Sequence, residues 1–211
     1  MCLYVNIFNM GEKIMLFRTS FRNNKYKLIF LGILFSLGII FGILLFNAQS
    51  DIVKRSISIE MDSFADMVRN INQNQIIYHL LVLSILFALN FTIIGVLASI
   101  FYLFYEGCSI GFSIAIFFYK FNTTGIMFGI IFNIVTKLIF ILLIIYVCLL
   151  GIKIANKILG SVVLKQNEIT HYFIKRHLIL FGIILCTSLL TNIIIFFLGS
   201  KVLALFLFLL Q

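Results

Sequence analysis

Residues 84–137 read SILFALNFTIIGVLASIFYLFYEGCSIGFSIAIFFYKFNTTGIMFGIIFNIVTK, and the parsing of this stretch decides the fold. It is almost wholly apolar, yet small and polar residues recur in it at helical spacing. Ser84, Ala88, Thr92, Gly95 and Ser99 fall four, four, three and four apart, so one continuous helix would gather them on a single face. Gly107, Gly111 and Ala115 define a second such face, and Gly125, Gly129, Asn133 and Lys137 a third. In lipid, small residues let helix backbones approach closely, and buried polar groups hydrogen-bond across the contact. The stretch reads as the packed centre of a helical membrane bundle.

Composition agrees. Of 211 residues, 63% are hydrophobic and 11% charged, and the mean hydropathy is +1.18. A soluble domain carries about 25% charged residues. The fold class expected is all-α, a polytopic helical membrane protein forming one unit. The net charge of +9 does not point to nucleic acid, because the basic residues sit in loops beside apolar runs, a pattern that sets membrane orientation. Cys2, Cys108, Cys148 and Cys186 are scattered with no C-x-x-C pair, so neither a disulfide framework nor a zinc site is indicated.

Outward from the central block, residues 1–27 form a basic segment with Lys13, Arg18, Arg22, Lys25 and Lys27 against Glu12, expected in the cytoplasm. The apolar run 28–46 is long enough to span a bilayer. It carries Gly38-x-x-x-Gly42 and lacks a small-x-small cleavage site after it, so it reads as a signal anchor. Further spans are expected at about 76–102, 108–119, 125–150 and 178–199. Tyr105-Glu106-Gly107 would turn the chain between the second and third, and 120–124 would form a short external turn. Residues 151–177 form a second basic cytoplasmic segment, and 200–211 an apolar tail too short to cross again. Ten of the sixteen Lys and Arg residues lie in the two cytoplasmic segments, which sets five spans with the N-terminus inside and the C-terminus outside.

Between the first two spans, Val53, Ile57, Met61, Phe64, Val68 and Ile71 are spaced four, four, three, four and three apart. This is the pattern of an amphipathic helix over 51–72, with Ser50 or Asp51 as N-cap. Its apolar face would rest on the membrane or the bundle, or dock an extracytoplasmic partner.

Lys137 is the one residue whose position is chemically costly. It lies twelve residues into the fourth span, about 18 Å along the helix axis at 1.5 Å per residue. Intramembrane ionisable groups mark functional sites by default, whereas the plain structural alternative is a lysine that snorkels or pins the bundle together. Asn133, one turn earlier, and Glu106, the sole acid of the block, are its expected partners. His79, His171 and His177 show no metal-ligand spacing and read as interfacial residues. No phosphate loop, serine-nucleophile motif or paired carboxylate appears, so neither enzymatic activity nor a cofactor is expected. The chain has no proline and no internal repeat, both common in transporters.

LGIIFGILLFN (37–47), IIGV (93–96) and LFYEGCSIGF (103–112), followed by Thr124-Gly125 and a long fourth span, resemble the stage II sporulation protein M family of bacterial membrane proteins. The likeness covers about residues 21–200. It implies a non-catalytic scaffold in the mother-cell membrane at the sporulation septum. The implied partners are two peptidoglycan hydrolases, the stage II sporulation proteins D and P, which remodel the wall during engulfment. One departure stands out: NIVTKLIF (133–140) carries Lys137 where the family commonly has a proline and an amide. The alternative reading is a small permease or the membrane subunit of an ABC-type exporter, suggested by Asn90, Asn133 and Lys137.

Overall fold

The computed structural model describes residues 24–60, 73–163 and 171–195. Among them every regular element is a helix and none is a strand. We label them α1 (Lys25–Asn47), α2 (Asp51–Glu60), α3 (Gln73–Leu89) and α6 (His171–Ile194), with Ile93–Val163 lying between α3 and α6. This last stretch is not one rod. Asn122 takes φ 56° and ψ −140°, outside the helical region, and divides it into α4 (93–121) and α5 (123–163).

At Asn122 the chain folds back on itself. The Phe117 ring lies 4.9 Å from Phe128 and 5.8 Å from Phe132. Asn133 then reaches Ser113, and Lys137 reaches Ser109 and Glu106. Partners climb α5 as they descend α4, which defines an antiparallel hairpin. Asparagine tolerates the left-handed φ better than most residues, and Gly125 accepts the close approach behind it. A Cβ there would collide with the Phe117 carbonyl and stand 3.1 Å from the Phe121 Cβ.

The turn between α3 and α4 lies at Asn90–Thr92, a correction to the turn expected at Tyr105-Glu106-Gly107, which sits inside continuous helix. Thr92 makes the break. Its Oγ1 donates to the Leu89 carbonyl at 2.7 Å and accepts the Gly95 amide at 3.1 Å. The second of these is an N-cap contact that satisfies an otherwise orphaned first-turn donor of α4. The proposed face from Ser84 to Ser99 is therefore split between two helices. Gly95 serves this turn rather than a helix–helix seam: its Cβ would strike Leu89 and lie 2.6 Å from the Asn90 amide nitrogen.

α1 and α4 run parallel through reciprocal glycine faces. A Cβ on Gly38 would stand 2.5 Å from the Phe104 carbonyl oxygen, and one on Gly107 2.6 Å from that of Phe35. A Cβ on Gly42 would enter the backbone of Cys108, and one on Gly111 that of Ile39. The two small-x-x-x-small motifs thus face each other. Phe46 closes the seam, its ring edge-on to Phe112 at 5.4 Å and to Tyr119 at 5.9 Å. α3 runs antiparallel to α6, with Phe87 stacked on Phe181 at 3.9 Å and His79 bonded to Asn192. Leu31, Leu83, Leu103, Ile144, Val147 and Ile184 form the shared apolar core.

The outside of this bundle is as apolar as its inside. Leu37, Ile40 and Leu44 on α1 are each more than half exposed, while Gly38, Gly42, Asn90, Ser99, Glu106 and Asn133 are buried. Lys25–Asn47, Ile94–Ile158 and Lys175–Ile194 are long and apolar enough to cross a membrane, and Ile77–Leu89 is a shorter apolar helix.

Candidate functional site

The most densely polar region inside the bundle lies between the hairpin arms. Tyr102, Glu106, Ser109 and Ser113 recur at spacings of four, three and four on α4, and Asn133 and Lys137 at four on α5. Each set therefore occupies one helix face. The hairpin brings the two faces together. Glu106 is 4% exposed, and both its oxygens are engaged. Oε1 accepts the Tyr102 hydroxyl at 2.7 Å, and Oε2 lies 3.4 Å from Lys137 Nζ. Lys137 also donates to Ser109 Oγ at 2.8 Å. The Tyr78 hydroxyl, on α3, stands 3.3 Å from that of Tyr102 and extends the chain to a third helix.

Asn133 donates its amide to the Gly129 carbonyl at 2.7 Å and to Ser113 Oγ at 3.3 Å. Its Oδ1 is buried without a partner. The same asparagine sits over Gly129, whose Cβ would stand 3.2 Å from Ile114 Cα across the seam.

Two further polar contacts tie the helices elsewhere. Asn90 is fully buried; its Nδ2 donates to the Val147 carbonyl at 3.1 Å, and its Oδ1 accepts Ser99 Oγ at 3.0 Å. Gly151 makes room for it, because a Cβ there would press on the Asn90 amide at 2.5 Å. His79 is buried within the bundle, as is His177. The His79 ring stacks on Phe140 at 3.9 Å, and its Nδ1 is 3.0 Å from Asn192 Oδ1. Asn192 donates in turn to the Ser188 carbonyl at 2.8 Å. Beside these groups lies a cavity of about 10 Å³, bordered by Thr136, Phe140 and Thr191, about the room one water needs.

Lys137 Nζ lies 2.8 Å from Ser109 Oγ and 3.4 Å from Glu106 Oε2, bridging a hydroxyl and a carboxylate. The carboxylate of Glu106 is shared between a hydroxyl and an ammonium. Among the described residues no group of three His, Cys, Asp or Glu side chains could hold a metal. The network joins α3, α4 and α5.

At the opposite end of α1 from Lys25, α2 is pinned to the hairpin. Lys120 Nζ donates to the Ser58 carbonyl at 2.8 Å, and Lys54 Nζ to the Asn47 carbonyl at 2.9 Å. Val53 is exposed and Ile57 half-buried, while Ile52 and Ile59 are 81% and 68% exposed. Met61, Phe64, Val68 and Ile71 lie outside the described residues.

Sequence reasoning paired Glu106 and Asn133 with Lys137 but missed Tyr102, Ser109 and Ser113. The spacing of Tyr102 to Glu106 was the available signal. Ser188 and Asn192, four apart, carried the same signal, whereas His79 lies far from both in the chain.

Fold and site together define an all-helical protein with helices fit to cross a membrane and a polar seam buried in its apolar centre. No protein-family model matches the chain, and neither does any curated protein or solved structure.

Proposed function

We propose that this protein is a polytopic membrane scaffold of a bacterial cell, without catalytic activity of its own, that holds a peptidoglycan hydrolase at the outer membrane face. α1, α3, α4, α5 and α6 would each cross once. The basic N-terminal segment would lie in the cytoplasm, following the excess of Lys and Arg at that end, and α2 outside. The observation that carries the reading is the anchoring of α2. Lys120 of the hairpin holds its Ser58 carbonyl and its own Lys54 reaches back to the end of α1, while Ile52 and Ile59 remain exposed. A helix held rigidly with apolar side chains outward is preorganised for a partner, which lowers the ordering cost of binding. The interlocked glycine faces and the buried Glu106–Lys137 pair support the same reading, because they make the platform stiff.

The resemblance to the stage II sporulation protein M family supplies the partner class. On that reading the bundle sits in the mother-cell membrane at the sporulation septum and assembles with the stage II sporulation proteins D and P. The test is purification of the tagged full chain in gentle detergent, with identification of what comes with it. Recovery of a peptidoglycan hydrolase is expected. Recovery of an ATPase without a hydrolase would replace the scaffold with the exporter-subunit reading.

A further inference from the structure

Where α3, α5 and α6 meet, polar side chains from all three helices surround one small cavity. His79 of α3, Thr136 of α5, and Ser188 and Thr191 of α6 border it, and its volume is about 10 Å³. His79, Thr136 and Ser188 are buried. What such a lining can hold follows from where each of its protons is already placed.

Asn192 fixes the histidine tautomer. Its Nδ2 donates to the Ser188 carbonyl at 2.8 Å, so Oδ1 is the atom turned to His79, and the 3.0 Å bond there needs a proton on Nδ1. The neutral imidazole has one ring proton, which leaves Nε2 an acceptor. The threonines have spent their protons too. Thr136 Oγ1 donates to the Phe132 carbonyl and Thr191 Oγ1 to the Thr187 carbonyl, each at 2.7 Å, and both oxygens keep lone pairs. Ser188 Oγ accepts Asn192 Nδ2 at 3.4 Å and has its own proton to give. The side chains around the cavity thus offer more acceptors than donors, in an apolar bundle where an unmet polar group is costly.

The occupant that fits is the smallest of hydrogen-bond donors. One water needs about this room and two to four polar partners. An apolar guest would leave the lone pairs unmet, and an ammonium ion would bring a charge into the apolar centre. We propose that a single water molecule is bound in this cavity. It donates to His79 Nε2 and Thr136 Oγ1 and accepts from Ser188 Oγ, so that it joins α3, α5 and α6. The polar centre of the bundle then has a second junction, made through solvent, beside the direct bonds of Glu106 and Lys137.

The experiment reads the purified full chain, carrying isotope-labelled histidine, by NMR in neutral detergent. His171→Gln and His177→Gln each remove one ring, and the signals left in both belong to His79. The expected result is a proton on Nδ1, an Nε2 signal shifted upfield of a free ring nitrogen, and magnetisation transfer from water to the ring Hε1. Thr136→Ile, larger and without the hydroxyl, should expel the water, return the Nε2 signal to the free position and abolish the transfer. Thr136→Ser, which keeps the hydroxyl, should retain both. A proton on Nε2 overturns the proposal, as does an Nε2 signal at the free position or the absence of transfer from water. A shifted Nε2 signal without that transfer would mean that a protein group donates to it, and overturns the proposal equally. These readings come from rings in the unmodified cavity, so they decide the matter whether or not Thr136→Ile folds. An unchanged Nε2 signal in a folded Thr136→Ile also overturns it.

Discussion

Adding one methyl group at Gly38 should weaken the bundle, whereas adding one at Gly32, six residues earlier on the same helix, should not. At Gly38 the new Cβ would stand 2.5 Å from the Phe104 carbonyl oxygen, with Gly107 Cα at 3.2 Å. Both neighbours are backbone, so relief requires α1 and α4 to part by about 1 Å. A gap of that size forfeits about a quarter to a half of each contact's attraction, itself about 0.1–0.2 kcal/mol per atom pair. If the seam holds on the order of 50 such pairs, about the number one buried leucine makes, the loss is about 1–5 kcal/mol. That agrees with the usual cost of overpacking, about 1–3 kcal/mol. At Gly32 a Cβ meets nothing within 4 Å, and alanine is the better helix former by about 1 kcal/mol. Gly38→Ala should therefore lower stability by about 1–3 kcal/mol, and Gly32→Ala should leave it unchanged or raise it. Reversible unfolding of both variants in mixed micelles, followed by circular dichroism, measures the difference. Equal stability of the two variants would refute the interlocked seam.

Two other predictions address the polar groups. Glu106→Gln or Lys137→Met alone should cost about 3–5 kcal/mol by leaving one charge buried without its partner. The exchange Glu106→Lys with Lys137→Glu should recover a good part of this in the same unfolding assay; no recovery would mean the pair is not coupled. Asn90→Leu should cost about 1–3 kcal/mol, since it removes the bonds to the Val147 carbonyl and the Ser99 hydroxyl and has no room beside Gly151; measured stability equal to the unmodified chain would remove Asn90 from the core.

Much of the architecture is legible in the chain because lipid imposes simple rules. Gly38 and Gly42, and Gly107 and Gly111, announce themselves by spacing, and the structure sets one pair against the other. The external turn expected at 120–124 contains Asn122, where the helix breaks. The α3–α4 turn is hidden because the apolar run continues through it. Asn90 and Thr92 look like ordinary buried polar residues of a span, and only Thr92 with Gly95 three residues later hints at a cap. Glu106-Gly107 misleads for the opposite reason. A carboxylate and a glycine resemble a turn, yet here the carboxylate is satisfied by Tyr102 and Lys137, and the glycine by Phe35. The burial of His79 is hidden because a lone histidine carries no pattern. Its burial depends on Asn192, more than a hundred positions away, and on the Phe140 ring, which composition cannot pair with it.

The central claim, that α2 presents a docking surface from a rigid bundle, is tested most directly by site-specific photocrosslinking in living cells. A photoreactive residue replaces Ile52 or Ile59 on α2, and in separate strains Ile33 on the apolar flank of α1, 56% exposed. The account predicts a protein adduct containing a peptidoglycan hydrolase from both α2 positions and none from Ile33. The absence of any hydrolase adduct from α2, with the probes folded and inserted, would contradict it.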